Sequence, residues 1–179
     1  SLLQEMDLDR APRVLDLCTG SGCIAWSIAL EIRDAEVVGV DLSETALGYA
    51  RSQFYPAGGG PLFLQADVLD TEQAFPYGPF DLIVSNPPYV RESEKALMRP
   101  NVLDWEPTEA LFVPDADPLL FYRAVARWAQ RFLRPGGAGI VESNEALGPG
   151  TADVFHEAGF KSVQNLRDFS EKERFVLFA

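Results

Sequence analysis

The stretch RVLDLCTGSGCIAWSIALEIR, Arg13–Arg33, decides how the rest of the chain is read. Its first six residues, Arg13–Cys18, are a short apolar run ending in turn residues, which predicts a buried strand. Gly20–Gly22 then form a turn, and Cys23–Arg33 continue as a helix. Strand, glycine turn and helix together open a βαβ unit. The next segments repeat the theme. Glu36–Leu42 is β-branched and strand-like, and Ser43 is placed to cap a helix over Glu44–Phe54, because a Ser oxygen accepts from orphan amides at a helix start. Pro56–Pro61 reads as a loop, Leu62–Asp67 as a third strand and Phe80–Asn86 as a fourth. Asp117–Leu133 has helical spacing and stops at the Gly/Pro terminator of RPGG. Ala138–Ser143 is a fifth strand, Gly148–Phe160 a last helix, and Ser162–Asp168 and Arg174–Ala179 are two closing strands. Such alternation predicts an α/β fold with a parallel sheet and helices on both faces. Ligands of open sheets of this kind bind beyond the carboxyl ends of the strands.

Composition sets the outer bounds. The chain has 179 residues, enough for one domain with a sizeable core. No apolar run approaches the roughly 20 residues of a membrane span, and no signal-peptide pattern opens it, so a cytoplasmic protein without membrane association is expected. The formal net charge is −12, which argues against direct binding of nucleic acid, since phosphate neutralisation supplies much of that affinity. Cys18 and Cys23 do not have zinc-ligand spacing and read as small buried thiols in a reducing compartment. His156 is the sole histidine and falls in a helix-like stretch, at the surface or its boundary. The sequence therefore offers no Ser-His or Cys-His pair and no metal cluster.

Acidic residues recur where strands end. Asp16 closes the first strand, where its carboxylate can meet an ammonium or shape the loop. Asp41 closes the second, the place for a carboxylate that takes both hydroxyls of a ribose. Asp67 closes the third, near where an adenine would lie. Gly20–Ala25 also matches the G-x-G-x-x-A dinucleotide pattern. A pyrophosphate prefers positive potential at the helix end. Asp16 and the overall acidity favour a cationic or zwitterionic ligand instead, and S-adenosylmethionine has the matching ribose, adenine, amino-acid tail and sulfonium.

The fourth strand runs into DLIVSNPPYVRE, Asp81–Glu92. Asn86 offers a side-chain carbonyl. Pro87 and Pro88 fix the backbone, and Pro87 holds Asn86 extended. Two carbonyl acceptors converging on one –NH₂ would hold a planar amide or amine nitrogen, with Tyr89 stacked on a flat substrate group. The result is a rigid clamp that aims a weakly nucleophilic nitrogen at an activated methyl. From Asn86 to Ala116 the chain is proline-rich with little periodicity, and such segments in compact domains are usually functional or disordered.

These residues resemble the class I methyltransferases with an N-P-P-Y motif, and among them the HemK/PrmC family of protein-(glutamine-N5) methyltransferases. The resemblance rests on VLDLCTGSGCIA, VDLSETAL, DLIVSNPPYV, WEPTEALF, FLRPGG and RDFSEKER, which fall in the family's order from about Arg13 to Phe178. It implies a Rossmann-like class I methyltransferase fold: a mostly parallel seven-stranded sheet, helices on both faces and an antiparallel last strand. It implies S-adenosyl-L-methionine as cofactor, S-adenosyl-L-homocysteine as product, and the GGQ glutamine of peptide-chain release factors as acceptor. Asp16, Cys18, Thr19, Gly20, Ser21 and Gly22 would line the cofactor. Asp41 would hold the ribose, Asp67 and Val68 would flank the adenine, and Leu42 and Asn86 would border the cofactor. Asn86, Pro87, Pro88 and Tyr89 would hold the glutamine amide. Asn86, Pro87 and Tyr89 are the catalytic set, and no metal is implied. Glu106 and Pro107 match the family's E-P in the substrate loop, and Glu142 matches an acid after the fifth strand. Cys18 stands where many members have Gly, and VESNEALG, Val141–Gly148, departs from the commoner E-x-G pattern. The chain opens on Ser1, so residues 1–12 are expected to be a linker from a preceding domain and residues 13–179 the catalytic domain, acting as a monomer. Other readings carry specific costs. A ribosomal-protein glutamine methyltransferase would use the same site. A nucleic-acid amino-methyltransferase sits poorly with the acidity, an NAD-dependent oxidoreductase leaves NPPY idle, and a non-catalytic cofactor-binding module has no need of Asn86–Tyr89.

Overall fold

Among the described residues, the long apolar runs before the last helix become parallel strands or the helices that return from them. The computed structural model describes residues 10–53, 59–91, 93 and 112–179. β1 (Arg13–Leu17) leads to α1 (Cys23–Glu31), then β2 (Glu36–Asp41), α2 (Glu44–Ser52), β3 (Leu62–Gln65) and β4 (Phe80–Ser85). Two short strands follow, β5 (Val90–Arg91) and β6 (Phe112–Val113). The chain then forms α3 (Leu120–Phe132), β7 (Leu133–Glu142), a 3-10 turn at Glu145–Leu147, α4 (Gly148–Glu157), β8 (Val163–Arg167) and β9 (Glu173–Phe178). Ser43 caps α2 as expected, accepting from the Ala46 amide at 3.2 Å.

Seven strands form one sheet in the order β3-β2-β1-β4-β7-β9-β8. The first five neighbours pair in parallel, and β9 runs antiparallel to both β7 and β8. The expected mixed sheet with an antiparallel last strand is therefore the observed one. β5 and β6 make a separate parallel pair. Several elements end two or three residues short of the sequence expectation, α1 at Glu31, β3 at Gln65 and α4 at Glu157, and one boundary differs more. RPGG does not break away from the sheet as a terminator loop: β7 begins at Leu133, directly after α3, and pairs with Phe80 before a register shift ahead of Leu82. Pro and Gly are tolerated there because the strand is irregular at that point.

The sheet separates two apolar layers, which the period of two along each strand sorts. Val14, Val37, Leu82 and Val84 face α1 and α2, packing with Ala25, Leu47 and Ala50. Leu15, Leu17, Val38, Val40 and Ile83 face α3 and α4, packing with Tyr122, Trp128 and Phe155. All six residues of β4 are buried, as a strand covered on both faces requires. At the amino edge of the sheet Asp81, 2% exposed, accepts from the Arg10 guanidinium, the Arg13 amide and Arg134. The start of β1 is thereby bound to β4 and to the chain beyond α3. Among the described residues no helix is long and apolar enough to cross a membrane.

Candidate active site

Register alone brings the predicted residues to one edge. Leu17 pairs with Val40 and with Ser85, Asp41 with Gln65, and Ser85 with Val141. The segments that follow these positions leave the sheet side by side. They carry Cys18–Gly22, Asp41–Leu42, Asp67–Val68, Asn86–Tyr89 and Glu142. Cross-links hold them there. The Thr19 amide donates to the Val40 carbonyl at 2.9 Å and the Gly20 amide to Asp41 Oδ2 at 2.8 Å. The Ala66 amide donates to the Asp41 carbonyl at 3.0 Å, and Ser85 Oγ donates to the Leu17 carbonyl at 2.8 Å.

The glycine loop is built around Asp16, which is fully buried. Its Oδ2 accepts from Thr19 Oγ1 at 2.6 Å and from the Ala25 amide at 3.2 Å, fastening the loop to the first turn of α1. Oδ1 is buried with no hydrogen-bond partner. The reading of Asp16 as a loop-shaping carboxylate holds through one oxygen, and the other oxygen is an unmatched acceptor. Burial pushes its carboxyl up to about 7, against the Thr19 and Ala25 bonds, with the charge of Asp41 adding to the rise. Gly20 has φ +56°, and a Cβ there would meet nothing within 4 Å, so the loop leaves open space on that side. Gly22, at φ +83°, is different: a Cβ would come within 2.8 Å of the Phe63 ring.

Cys18 adopts φ 59°. That left-handed conformation costs a residue with a Cβ about 1 kcal/mol or more, which explains why Gly suits the position. Cys18 is partly buried, and burial, Asp41 and Asp16 push its thiol up, so it stays an uncharged thiol. Cys23 corrects the expectation of two buried cysteines. It is exposed, because it opens α1 at the carboxyl edge, and both cysteines are free. Among the described residues no group of His, Cys, Asp and Glu could hold a metal.

Asp41 is engaged at both oxygens, Oδ2 by the Gly20 amide and Oδ1 by the Ser43 amide at 2.9 Å. Each carboxylate oxygen keeps a second lone pair for a ligand hydroxyl. Leu42 is 62% exposed beside it. Asp67 Oδ1 accepts from the Leu69 amide at 2.8 Å in an Asx turn. Val68 lies in the core, and its carbonyl accepts from Trp128 Nε1 at 3.0 Å. Trp128 is a site-supporting residue that sequence reasoning missed, since in the sequence it reads only as a core position of a helix.

Beyond β4, Asn86 is exposed while Pro87 and Pro88 are buried, so the prolines anchor the loop and present the amide. Tyr89 is half-buried, packs against the core and donates from its hydroxyl to Glu142 Oε1 at 3.0 Å. Glu142 thus belongs with this site, and its position at a strand end was the available signal. Glu106 and Pro107 lie outside the described residues.

The arrangement combines an unmatched buried acceptor, a glycine loop with room above it, a carboxylate suited to hydroxyls and a rigid amide presented nearby. The residues fit a cationic, ribose-bearing cofactor next to a nitrogen acceptor. Comparison with known proteins places the chain among methyltransferases. The family model for the methyltransferase small domain matches residues 1–102. A release factor glutamine methyltransferase from Bacteroides thetaiotaomicron is 43% identical over 166 residues, covering 93% of this chain and 59% of that protein. Its counterpart from Flavobacterium psychrophilum is 39% identical over 164 residues, covering 92% and 57%. The chain thus spans less than two thirds of the length of these curated relatives. Among solved structures, TrmN from Thermus thermophilus aligns with a TM-score of 0.64 at 24% identity, over 99% of this chain and 46% of that one. The ribosomal protein L11 methylase of Lactobacillus delbrueckii subsp. bulgaricus aligns at 0.59 and 17% identity, over 99% and 73%. These two structures share the fold.

Proposed function

We propose that this chain, which belongs to the methyltransferase small domain family, methylates the side-chain amide nitrogen of the GGQ glutamine in a peptide-chain release factor, with S-adenosyl-L-methionine as methyl donor. The observation that carries the reading is the convergence of Asn86–Tyr89 and the Asp16-centred glycine loop on one edge of the sheet. When bound, S-adenosylmethionine supplies an electrophilic methyl. The chain's own residues do the rest. Asp16 Oδ1 offers a buried negative partner for the ammonium end of the cofactor, and residues Cys18–Gly22 let backbone approach it. Asp41 takes the ribose hydroxyls, and Leu42, Asp67 and Val68 border the adenine. Asn86 Oδ1 and the Pro87 carbonyl accept from the glutamine –NH₂, and Tyr89 walls the flat amide. Orientation of this kind is worth roughly 7–11 kcal/mol of a barrier, and aimed dipoles add a few more. No strong base is required, because the proton leaves the nitrogen during or after transfer. The protein acts as a monomer in the cytoplasm, and its partner is the release factor.

The test uses the intact protein, labelled S-adenosylmethionine, and a release factor carrying GGQ beside its GGA variant. Label on GGQ and none on GGA is expected. Tight cofactor binding with label on neither would overturn the acceptor and turn attention to ribosomal protein and nucleic acid.

Asp16 makes cofactor binding pH-dependent. The folded protein holds its proton up to about pH 7, whereas the unfolded chain releases it near 3.8. Between these values the native state binds more protons, so this group's contribution to stability falls as pH rises through the window. An ammonium placed against Asp16 selects the ionised carboxylate. Binding at pH 6 is therefore expected to release close to one proton and binding at pH 8 almost none, as calorimetry in two buffers of different ionisation enthalpy would report. Asp16→Asn should remove the difference.

A further inference from the structure

The bond from the Tyr89 hydroxyl to Glu142 Oε1 joins two separate elements of the site, and the chemistry above makes no use of it. We infer that Glu142 is a positioning residue whose carboxylate fixes the Tyr89 ring against the substrate amide. The inference rests on the reading of this site as a glutamine methyltransferase.

The two partners differ in how they are held. Glu142 ends β7, which lies between β4 and β9, and it pairs with Phe175 of β9. The core cluster against which Tyr89 packs includes Tyr122, Trp128 and Phe155, all fully buried. Tyr89 sits on the loop leaving β4, past two prolines, with one side of its ring on the core. A carboxylate on a rigid strand thus anchors a ring on a loop. Ser85 and Val141 are in register, so the two chains leave the sheet as neighbours and the 3.0 Å contact needs no detour. A charged acceptor makes a stronger bond than a neutral one. Sites that depend on near-attack geometry need such support, because a misplacement of about 1 Å can cost about a hundredfold in rate.

The test is a double-mutant cycle on methyl transfer to GGQ by the intact protein. Tyr89→Phe and Glu142→Ala are each expected to lower kcat/KM by roughly tenfold to a hundredfold, the worth of a hydrogen bond to a charged group. The loss should fall mainly on kcat, with cofactor affinity unchanged. The double variant should be no slower than the slower single, since both remove one bond. Glu142→Gln keeps an acceptor and should recover most of the rate. Additive losses overturn the proposal. So does a costly Glu142→Ala beside a neutral Tyr89→Phe, which would place the carboxylate on the substrate itself. If Glu142→Ala does not fold, Tyr89→Phe carries the test alone, because it removes one oxygen and no packing. A wild type that leaves GGQ unlabelled removes the underlying reading, and the proposal falls with it.

Discussion

Asn86→Ala is expected to lower methyl transfer by roughly 10²- to 10³-fold, the usual cost of removing one aimed polar group from a reacting centre. Cofactor affinity and thermal stability should barely change. Asn86 is exposed, so truncating it opens no cavity and leaves no buried group unpaired. Pro87 and Pro88 are buried and hold the loop whether or not the amide is present. The loss should therefore appear in single-turnover rates with cofactor saturating. Calorimetric titration of S-adenosylmethionine should give the same affinity for both proteins. A variant that turns over normally would show that the Pro87 carbonyl alone orients the nitrogen, and the two-acceptor clamp would be abandoned.

The second large effect is on stability. Trp128→Ala should cost about 4 kcal/mol, within the range for deleting a large buried aromatic. Trp128 has no exposed surface and meets Phe75 edge-on at 5.0 Å and Phe132 at 5.2 Å. Its indole also donates to the Val68 carbonyl, so removal takes a hydrogen bond from an acceptor at the site. Trp128→Phe separates the two consequences. It keeps most of the packing and loses the bond, and it should weaken cofactor binding more than its smaller loss of stability suggests. Denaturant unfolding and cofactor titration on both variants check this.

Much of this was legible beforehand, and the reasons are local. β1 and β4 are apolar at most positions because strands covered on both faces must be, with Asp16 and Asp81 as buried exceptions. Glycines mark the first turn because φ there is positive at Gly20 and Gly22. Asp16, Asp41, Asp67 and Asn86 stood out because each follows or ends such a run, and parallel pairing puts those ends together. What stayed hidden depends on contacts between distant segments. Nothing in FLRPGG says that Leu133 already pairs with Phe80. Nothing in α3 says that Trp128 reaches the Val68 carbonyl across a separation of 60 residues. The division of Asp16 into a loop-shaping oxygen and an unmatched one is likewise set by Thr19 and Ala25 packing from two sides. Cys18 could be placed by motif, but its left-handed backbone could not.

The small β5·β6 pair has a consequence for how this site can diversify. Val90–Arg91 lie against Phe112–Val113, and the Ser93 amide and hydroxyl both donate to Asp115 Oδ1, at 3.1 and 2.8 Å. The two ends of residues 94–111 are therefore joined by contacts made outside that stretch. Closing a longer loop between fixed ends is cheap, about 0.6 kcal/mol for each doubling of its length. The segment between these ends can accordingly be lengthened, shortened or exchanged with little thermodynamic penalty and no displacement of Tyr89. The flanking residues, Tyr89 with its bond to Glu142 among them, keep their anchorage whatever the length of the chain between them.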